Sequence, residues 1–159
     1  MKRVAIAFSG PSNTGKTTLI LKVAKKFIDD GLKVVIIKHD PSDKAKFDVE
    51  GKDSYKFSQI GADVVVASPT RTTYFSKEMK SLAQMVDMVG EFDLLIVEGL
   101  KTLPLPRISL FREHIDESYL EFSDAIATDG LKCSVDIPNF DINDVESISK
   151  WVIDNAKKV

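Results

Sequence analysis

The residues with the clearest capacity for chemistry lie between Gly10 and Thr17, in the order Gly-Pro-Ser-Asn-Thr-Gly-Lys-Thr. This spacing matches G-x-x-x-x-G-K-[ST], in which a curled backbone turns successive N–H groups toward phosphate oxygens. Lys16 would reach the β and γ phosphates in a catalytic role, and the Thr17 hydroxyl would bind Mg²⁺. The alternative is an ordinary glycine-rich turn before a helix. The pattern predicts a nucleotide site formed by Gly10, Ser12, Asn13, Thr14, Gly15, Lys16, Thr17 and Thr18.

A metal ion at such a loop needs a carboxylate, and ligands gather at the carboxyl ends of the strands in open α/β sheets. The apolar run between Asp93 and Glu98 has one acid at each end. A strand of that length would separate them by about 16 Å, so only one can lie beside the phosphates. We choose Glu98 as metal ligand and catalytic residue, with a solvated turn carboxylate as the alternative. That alternative is the interpretation we favour for Asp93.

A series of buried strands and amphipathic helices would position these residues. Short apolar runs bounded by polar or turn residues predict strands at Val4–Phe8, Val34–Ile37, Val64–Ala67, Leu94–Val97, Ile108–Phe111 and Ala125–Ala127. Apolar residues at helical spacing predict helices from Lys16 to Gly31, at Lys52–Ile60, from Met79 to Gly90, and at the end of the chain. Alternating strands and helices predict an α/β fold: one three-layer P-loop NTPase domain, residues 1–159, with a mostly parallel sheet covered by helices on both faces.

In the first and last helices, the spacing of apolar residues is regular enough to predict which side chains are buried. In the first, the inner face is expected to hold Leu19, Ile20, Val23, Ala24, Phe27 and Ile28. In the last, Asn143 and Glu146 resemble a capping box. Its inner face is expected to hold Val145, Ile148, Val152, Ile153 and Ala156.

Composition narrows the class of protein. The chain has 159 residues, 43% of them hydrophobic and 29% charged, with a net charge of -2. Near neutrality argues against capture of nucleic acid or anionic lipid, and no apolar run approaches the roughly 20 residues of a membrane-spanning helix. The N-terminus lacks the pattern of a secretory signal, and Cys133 is the only cysteine. We therefore expect a globular protein of the reducing cytoplasm.

Several motifs, in this order along the chain, resemble one family of P-loop GTPases, molybdopterin-guanine dinucleotide biosynthesis protein B. They are the loop Gly10 to Thr18, Ile37-Lys38-His39-Asp40, Phe47-Asp48-Val49-Glu50-Gly51-Lys52-Asp53-Ser54, Gly61-Ala62-Asp63, Val97-Glu98-Gly99-Leu100-Lys101, Pro106-Arg107-Ile108 with Arg112, and Ala127-Thr128-Asp129. The resemblance implies GTP and Mg²⁺ as cofactors, weak GTP hydrolysis and a homodimer. It also implies association with the nucleotidyltransferase that joins GMP to the molybdopterin cofactor. Members often carry further histidines where this chain has Pro41-Ser42-Asp43-Lys44.

Five further residues carry open alternatives. Lys38 and His39 could contact the γ-phosphate or be an exposed strand-end lysine and a structural histidine. Asp53 could approach Mg²⁺ through water or cap the short helix, and Lys101 could lie over phosphate or pair with Glu98. A carboxylate can accept two hydrogen bonds from the guanine edge, and we expect Asp129 to do so unless Asp129-Gly130 is only a turn.

Two other functions remain open from the sequence. A small-molecule kinase would need an arginine-containing lid, and no arginine-rich insertion is visible. A GTPase metallochaperone would need soft metal ligands, whereas His39 and His114 are the only histidines. The arginines Arg71, Arg107 and Arg112 could in principle assist hydrolysis, and if supplied in trans they would require a dimer or a partner.

Overall fold

The computed structural model describes residues 2–159, which form five helices and nine strands. The helices are Lys16–Asp29 (α1), Asp53–Gln59 (α2), Leu82–Met88 (α3), Glu117–Leu120 (α4) and Val145–Asn155 (α5). The strands are Val4–Ser9 (β1), Val34–Lys38 (β2), Val64–Ala67 (β3), Thr72–Phe75 (β4), Leu94–Glu98 (β5), Arg107–Phe111 (β6), Ala125–Thr128 (β7), Asn139–Asp141 (β8) and Lys157–Lys158 (β9). Within these residues, no helix is long and apolar enough to cross a membrane.

The larger of two compact units contains residues up to His39 and from Val89 onward. Its sheet has the order β2-β5-β1-β6-β7-β8, and neighbouring strands along this path are parallel. The short strand β9 pairs antiparallel with Val4 and Ala5, below the point where β6 begins to pair with β1 at Ala7. The predicted mostly parallel α/β fold is confirmed. All the parallel strands therefore end at one edge of the sheet.

The core of this unit explains why its strands are continuously apolar. Ile6 and Phe8 of β1 belong to a buried cluster with the inner face of α1 and with Ile148 and Val152 of α5. Side chains alternate between the two faces of a strand, so Ala5 and Ala7 point the other way, and they too are fully buried. A sheet buried on both faces gives the unbroken hydrophobic runs seen in the sequence.

Residues 40–88 form the second compact unit, which contains α2, the hairpin β3–β4 and α3. β3 pairs antiparallel with β4 in a separate two-stranded sheet, so the place in the parallel sheet implied for Val64–Ala67 is wrong. The Asp63 carboxylate accepts hydrogen bonds from the Tyr74 hydroxyl at 2.6 Å and the Lys77 amide at 2.8 Å. These bonds, the Tyr74 bond most strongly, hold the pKa of Asp63 below its usual value.

The helix ends correct three predictions. The cap of α5 is Asp144, whose carboxylate accepts a hydrogen bond from the Ser147 amide at 3.0 Å, so the capping box predicted at Asn143 and Glu146 is wrong. The cap position of α2 is Lys52 and has no side-chain bond; Asp53 is the first helical residue, so the capping role offered for it is wrong. α3 begins at Leu82 rather than at Met79, which is 87% exposed.

The residues predicted for the inner faces of α1 and α5 are buried or partly buried, except at one position in each helix. Ile28 of α1 and Ile153 of α5 are 56% and 55% exposed. Each lies at the margin of its apolar stripe, where a helical repeat of 3.6 residues turns a side chain away from the sheet. The neighbouring residues Phe27 and Val152 carry the buried contacts instead.

Candidate functional site

The loop between β1 and α1 has the tight backbone that the motif predicts. Gly10 and Gly15 have positive φ angles of 127° and 94°, and Asn13 has a φ of 63°. A Cβ built on Gly10 would lie 2.4 Å from the backbone oxygen of Leu110 in β6. Gly10 is therefore required by the close approach of two backbones as well as by its conformation.

The N–H groups of this loop have no acceptors of their own. Within the described chain, no backbone amide of residues 12–18 donates a hydrogen bond to another protein group, and the first bond of α1 is made by Leu19. The cap residue Gly15 contributes no side-chain acceptor, and the first turn contains no acid. A helix N-terminus with free N–H groups and no competing carboxylate binds anions through these groups and the helix dipole.

Lys16 lies within the same loop. Its ammonium group donates a hydrogen bond of 2.6 Å to the Pro11 carbonyl, which also accepts from the Thr14 hydroxyl at 3.0 Å. Burial lowers the pKa of Lys16, and the charge of Lys38 acts in the same direction while Glu98 opposes both. A phosphate group arriving here would supply the negative charge that the partly buried ammonium group lacks.

Glu98 ends β5 beside the phosphate loop, because its register partner in β1 is Phe8, two residues before Gly10. Its carboxylate is 3.2 Å from the ammonium group of Lys38, its register partner in β2. Asp93 lies just before the other end of β5 and accepts a hydrogen bond from the Lys33 amide at 2.9 Å. The predicted separation of the two acids therefore agrees with the structure, and Lys38 pairs with Glu98.

Thr17 and Glu98 are the side chains that could hold Mg²⁺ with the phosphates. Thr17 is exposed at the start of α1, and its hydroxyl makes no hydrogen bond within the described residues. In the same part of the chain, no three His, Cys, Asp or Glu side chains gather at a possible metal site. A hydroxyl and one carboxylate, with phosphate and water oxygens completing the shell, fit the few protein ligands that Mg²⁺ takes at nucleotide sites.

The segment after Glu98 is fixed by an arginine that the sequence left without a specific role. Arg107 is 1% exposed, and its guanidinium donates hydrogen bonds to the carbonyls of Gly99, Leu100 and Leu103 at 3.0–3.3 Å. Burial lowers its pKa, opposed by the charge of Asp124. Arg107 therefore holds the turn after β5 rather than facing a nucleotide.

Lys101 and Asp129 are two further positions for which the sequence offers alternatives. Lys101 donates a hydrogen bond to the Ser118 carbonyl at 3.1 Å and lies 4.9 Å from the ring centroid of Tyr119, so it does not pair with Glu98. Its contact with phosphate stays a prediction. Asp129 directly follows β7 and is exposed, beside Gly130 with its φ of 77°. Its contact with guanine stays a prediction.

Sequence reasoning also underrated Arg112, which directly follows β6. Its guanidinium nitrogens lie 3.6 and 3.8 Å from the position that a Cβ on Gly15 would take. The available signal was its place after an apolar strand, since the parallel strands of this sheet end at the same edge. Arg112 thus reaches the phosphate loop from its own chain.

The parallel sheet and the strand–loop–helix unit with free N–H groups and a lysine define a P-loop NTPase. The family model for Molybdopterin guanine dinucleotide synthesis protein B (MobB) matches residues 5–129. The chain belongs to the MobB family. A molybdopterin-guanine dinucleotide biosynthesis adapter protein from Escherichia coli K12 is 32% identical, over 96% of this chain and 93% of the relative. A protein of the same name from Haemophilus influenzae is 31% identical, over 92% and 86%.

Solved structures agree with this fold. The crystal structure of Bacillus subtilis MobB has a TM-score of 0.78 at 23% identity and covers 97% of this chain and 98% of its own. A structure described as LAO/AO transport system kinase has a TM-score of 0.53 at 17% identity, covering 95% of this chain and 58% of its own. At these identities the likeness concerns the fold alone.

Proposed function

We propose that this protein is a GTP-binding adapter that assists the attachment of GMP to molybdopterin, in association with the nucleotidyltransferase that carries out this step. The observation that carries the nucleotide part is the set of backbone N–H groups at residues 12–18 without protein acceptors, next to Lys16. The adapter part rests on family membership and on relatives that are named as adapter proteins. The whole chain, residues 1–159, acts as one GTP-binding domain in this proposal.

The loop would hold the phosphates through its N–H groups, while Lys16 exchanges the Pro11 carbonyl for a phosphate oxygen. Thr17 and Glu98 would hold Mg²⁺, which neutralises phosphate charge. Asp129 would accept two hydrogen bonds from the guanine edge, which adenine cannot donate. Support for this arrangement comes from the ends of β1, β5 and β7, which lie at one edge of the sheet.

We expect GTP hydrolysis to be weak. Phosphoryl transfer to water requires a group that orients the attacking water. The Glu98 carboxylate is assigned to Mg²⁺ and also lies 3.2 Å from the ammonium group of Lys38, so it is not free to orient water, which supports a slow reaction. A nucleotide that persists on the protein suits an adapter better than rapid turnover does.

A homodimer is part of the same proposal. In the unit of residues 40–88, Phe47 and Ile60 are 82% and 83% exposed, and Val49, Phe57 and Val65 are also exposed. Apolar side chains exposed in this number within a short segment favour an interface that covers them. Sedimentation equilibrium should give twice the chain mass of 17.6 kDa, and Phe47→Ser with Ile60→Ser should shift the protein toward the monomer.

The test of the nucleotide and adapter proposals is a pair of measurements on the full chain. Calorimetric titration with GTP, ATP, GDP and ADP in the presence of Mg²⁺ should show tighter binding of the guanine nucleotides, and Lys16→Ala should lose most of the affinity while remaining folded. Phosphate release should be slow, and the nucleotidyltransferase should bind the protein directly. Equal affinity for ATP would contradict the guanine assignment, and rapid phosphorylation of a small-molecule acceptor would favour a kinase.

A further inference from the structure

Arg112 is an exposed cation that directly follows β6. Its side chain makes no hydrogen bond or ion pair with any described residue, in contrast to Arg107, whose guanidinium donates to three carbonyls. Its backbone position is fixed by Phe111, which is fully buried and pairs with Thr128 of β7. A planar group with five unused donors therefore stands at a defined place on the sheet edge.

That place is the rim of the phosphate loop. The nearest guanidinium nitrogens of Arg112 lie 3.6 and 3.8 Å from where a Cβ on Gly15 would be, and Ile142 packs on the same side at 3.5 Å. Gly15 is the cap of α1 and lies among the residues whose amides have no acceptor. In loops of this motif, the backbone amides surround the α and β phosphates, whereas the lysine reaches β and γ.

We propose that Arg112 binds the α and β phosphates of the nucleotide in cis, as a second cation beside Lys16. This inference rests on the proposed nucleotide site and adds a ligand to it. Lys16 is partly balanced by Glu98, since the two interact electrostatically, whereas no carboxylate of residues 2–159 forms an ion pair with Arg112. Guanidinium groups bind phosphate oxygens in bidentate fashion, and such charge-assisted bonds are about twice as strong as neutral ones.

Because Arg112 lies near Gly15, its proposed role can be distinguished from a role in GTP hydrolysis. A contact to the α and β phosphates is present in both GDP and GTP, so its loss weakens both nucleotides by the same factor. A residue that stabilises the γ phosphate during hydrolysis would change GTP binding or turnover and leave GDP alone.

The test compares Arg112→Gln, which removes the charge, with Arg112→Lys, which keeps the charge but not the bidentate geometry. The matched control is Lys22→Gln, because Lys22 is an exposed cation on α1 without a described partner. Calorimetry should show about tenfold or greater loss of affinity for GTP and GDP alike in Arg112→Gln. The affinity of Arg112→Lys should lie between those of Arg112→Gln and the unmodified protein, and the affinity of the control should equal that of the unmodified protein. The melting temperature should be unchanged in all three variants.

Inorganic pyrophosphate distinguishes phosphate contact from stacking on the base. Its affinity is measured by competition against a fluorescent GDP analogue. Arg112→Gln should weaken the affinity for pyrophosphate by the same factor as the affinity for GDP. Unchanged GDP affinity, a loss confined to GTP, or a loss for GDP without one for pyrophosphate would each overturn the proposal. Failure of the nucleotide site itself is recognised separately, because Lys16→Ala would then leave GTP binding unchanged.

Discussion

Two glycines of the phosphate loop are glycine for different physical reasons. At Gly10, a Cβ would lie 2.4 Å from the Leu110 backbone oxygen, and backbone of a central strand cannot easily move aside. At Gly15, a Cβ would meet its neighbours at 3.5 Å or more, so only the φ of 94° is unfavourable. The first constraint is steric and conformational, whereas the second is conformational alone.

Gly15→Ala should therefore cost about 1–2 kcal/mol of unfolding free energy, the usual penalty of a left-handed backbone for an L-residue. Gly10→Ala should lower the unfolding free energy by more, because it would displace β6 in addition to the penalty of a positive φ. Urea denaturation of the two variants measures both values. Equal losses of unfolding free energy, or a larger loss for Gly15→Ala, would show that the backbone of β6 moves away from residue 10 at little cost.

Arg107 offers a second test at this scale. Arg107→Met fills a similar volume but removes the guanidinium donor from the carbonyls of Gly99, Leu100 and Leu103, of which Leu100 and Leu103 keep one backbone donor each. Hydrogen bonds to charged groups contribute about 1.5–3 kcal/mol each, though a buried charge carries a desolvation cost that the substitution removes. We expect a net loss of about 2 kcal/mol in urea denaturation, together with weaker Mg²⁺-GTP binding because the turn after Glu98 loosens. An equally stable variant would mean that water replaces the guanidinium.

Single residues differ in how far the sequence could specify them. The spacing of Gly10, Gly15 and Lys16 predicted the loop, and strand length separated Glu98 from Asp93. The partners of Lys101 and Arg107 depend on how irregular segments return to the sheet, and no periodicity encodes that path. The sequence therefore predicted the residues on regular elements better than those that bind to loop carbonyls.

At the scale of elements, the start of α5 depends on one carboxylate. Asp144 accepts a hydrogen bond from the Ser147 amide, and this bond lowers the pKa of Asp144 from its ordinary value of 3.8. Because the pKa of Asp144 is lower in the folded state, its stabilisation is complete at pH values above the pKa of the unfolded state. It is lost as the pH falls through the pKa of the folded state.

Asp144→Ala should accordingly lower the melting temperature at pH 6, and the difference from the unmodified protein should shrink as the pH falls below about 4. The matched control is Asn143→Ala, the neighbour that the sequence favoured as cap. A surface substitution of this kind should change stability by no more than about 0.5 kcal/mol. A difference that stays constant from pH 6 to pH 3 would show that the carboxylate charge does not act in the cap.

The helix and strand starts that sequence reasoning missed have identifiable signals. Ser81 and Gln84 bond reciprocally, with the Ser81 amide donating to the Gln84 side chain and the Gln84 amide to the Ser81 hydroxyl. That pattern is a capping box, and it was readable in the sequence as the start of α3. The strands β8 and β9 are three and two residues long and, apart from Phe140, carry polar side chains, so they lack the apolar run by which strands are recognised.

At the scale of the whole molecule, the parallel sheet is what gathers the site. The loop after β1, Glu98 of β5, Arg112 after β6 and Asp129 after β7 all stand at the ends of neighbouring strands. The order of helices and apolar strands was enough to predict the parallel sheet and to place the loop, Glu98 and Asp129 at its edge, but not to place Arg112 beside the loop. The separate hairpin of residues 40–88 was not predicted, because β4 reads Thr-Thr-Tyr-Phe, with two polar residues followed by two aromatic ones, rather than as a buried run.

The most direct test of the central claim is a crystal structure of the protein with a non-hydrolysable GTP analogue and Mg²⁺. We predict phosphate oxygens within hydrogen-bond distance of the amides of residues 12–18, with the ammonium group of Lys16 transferred from the Pro11 carbonyl to the phosphates. An analogue bound elsewhere, with Lys16 still on Pro11 and the amides facing water, would contradict the account.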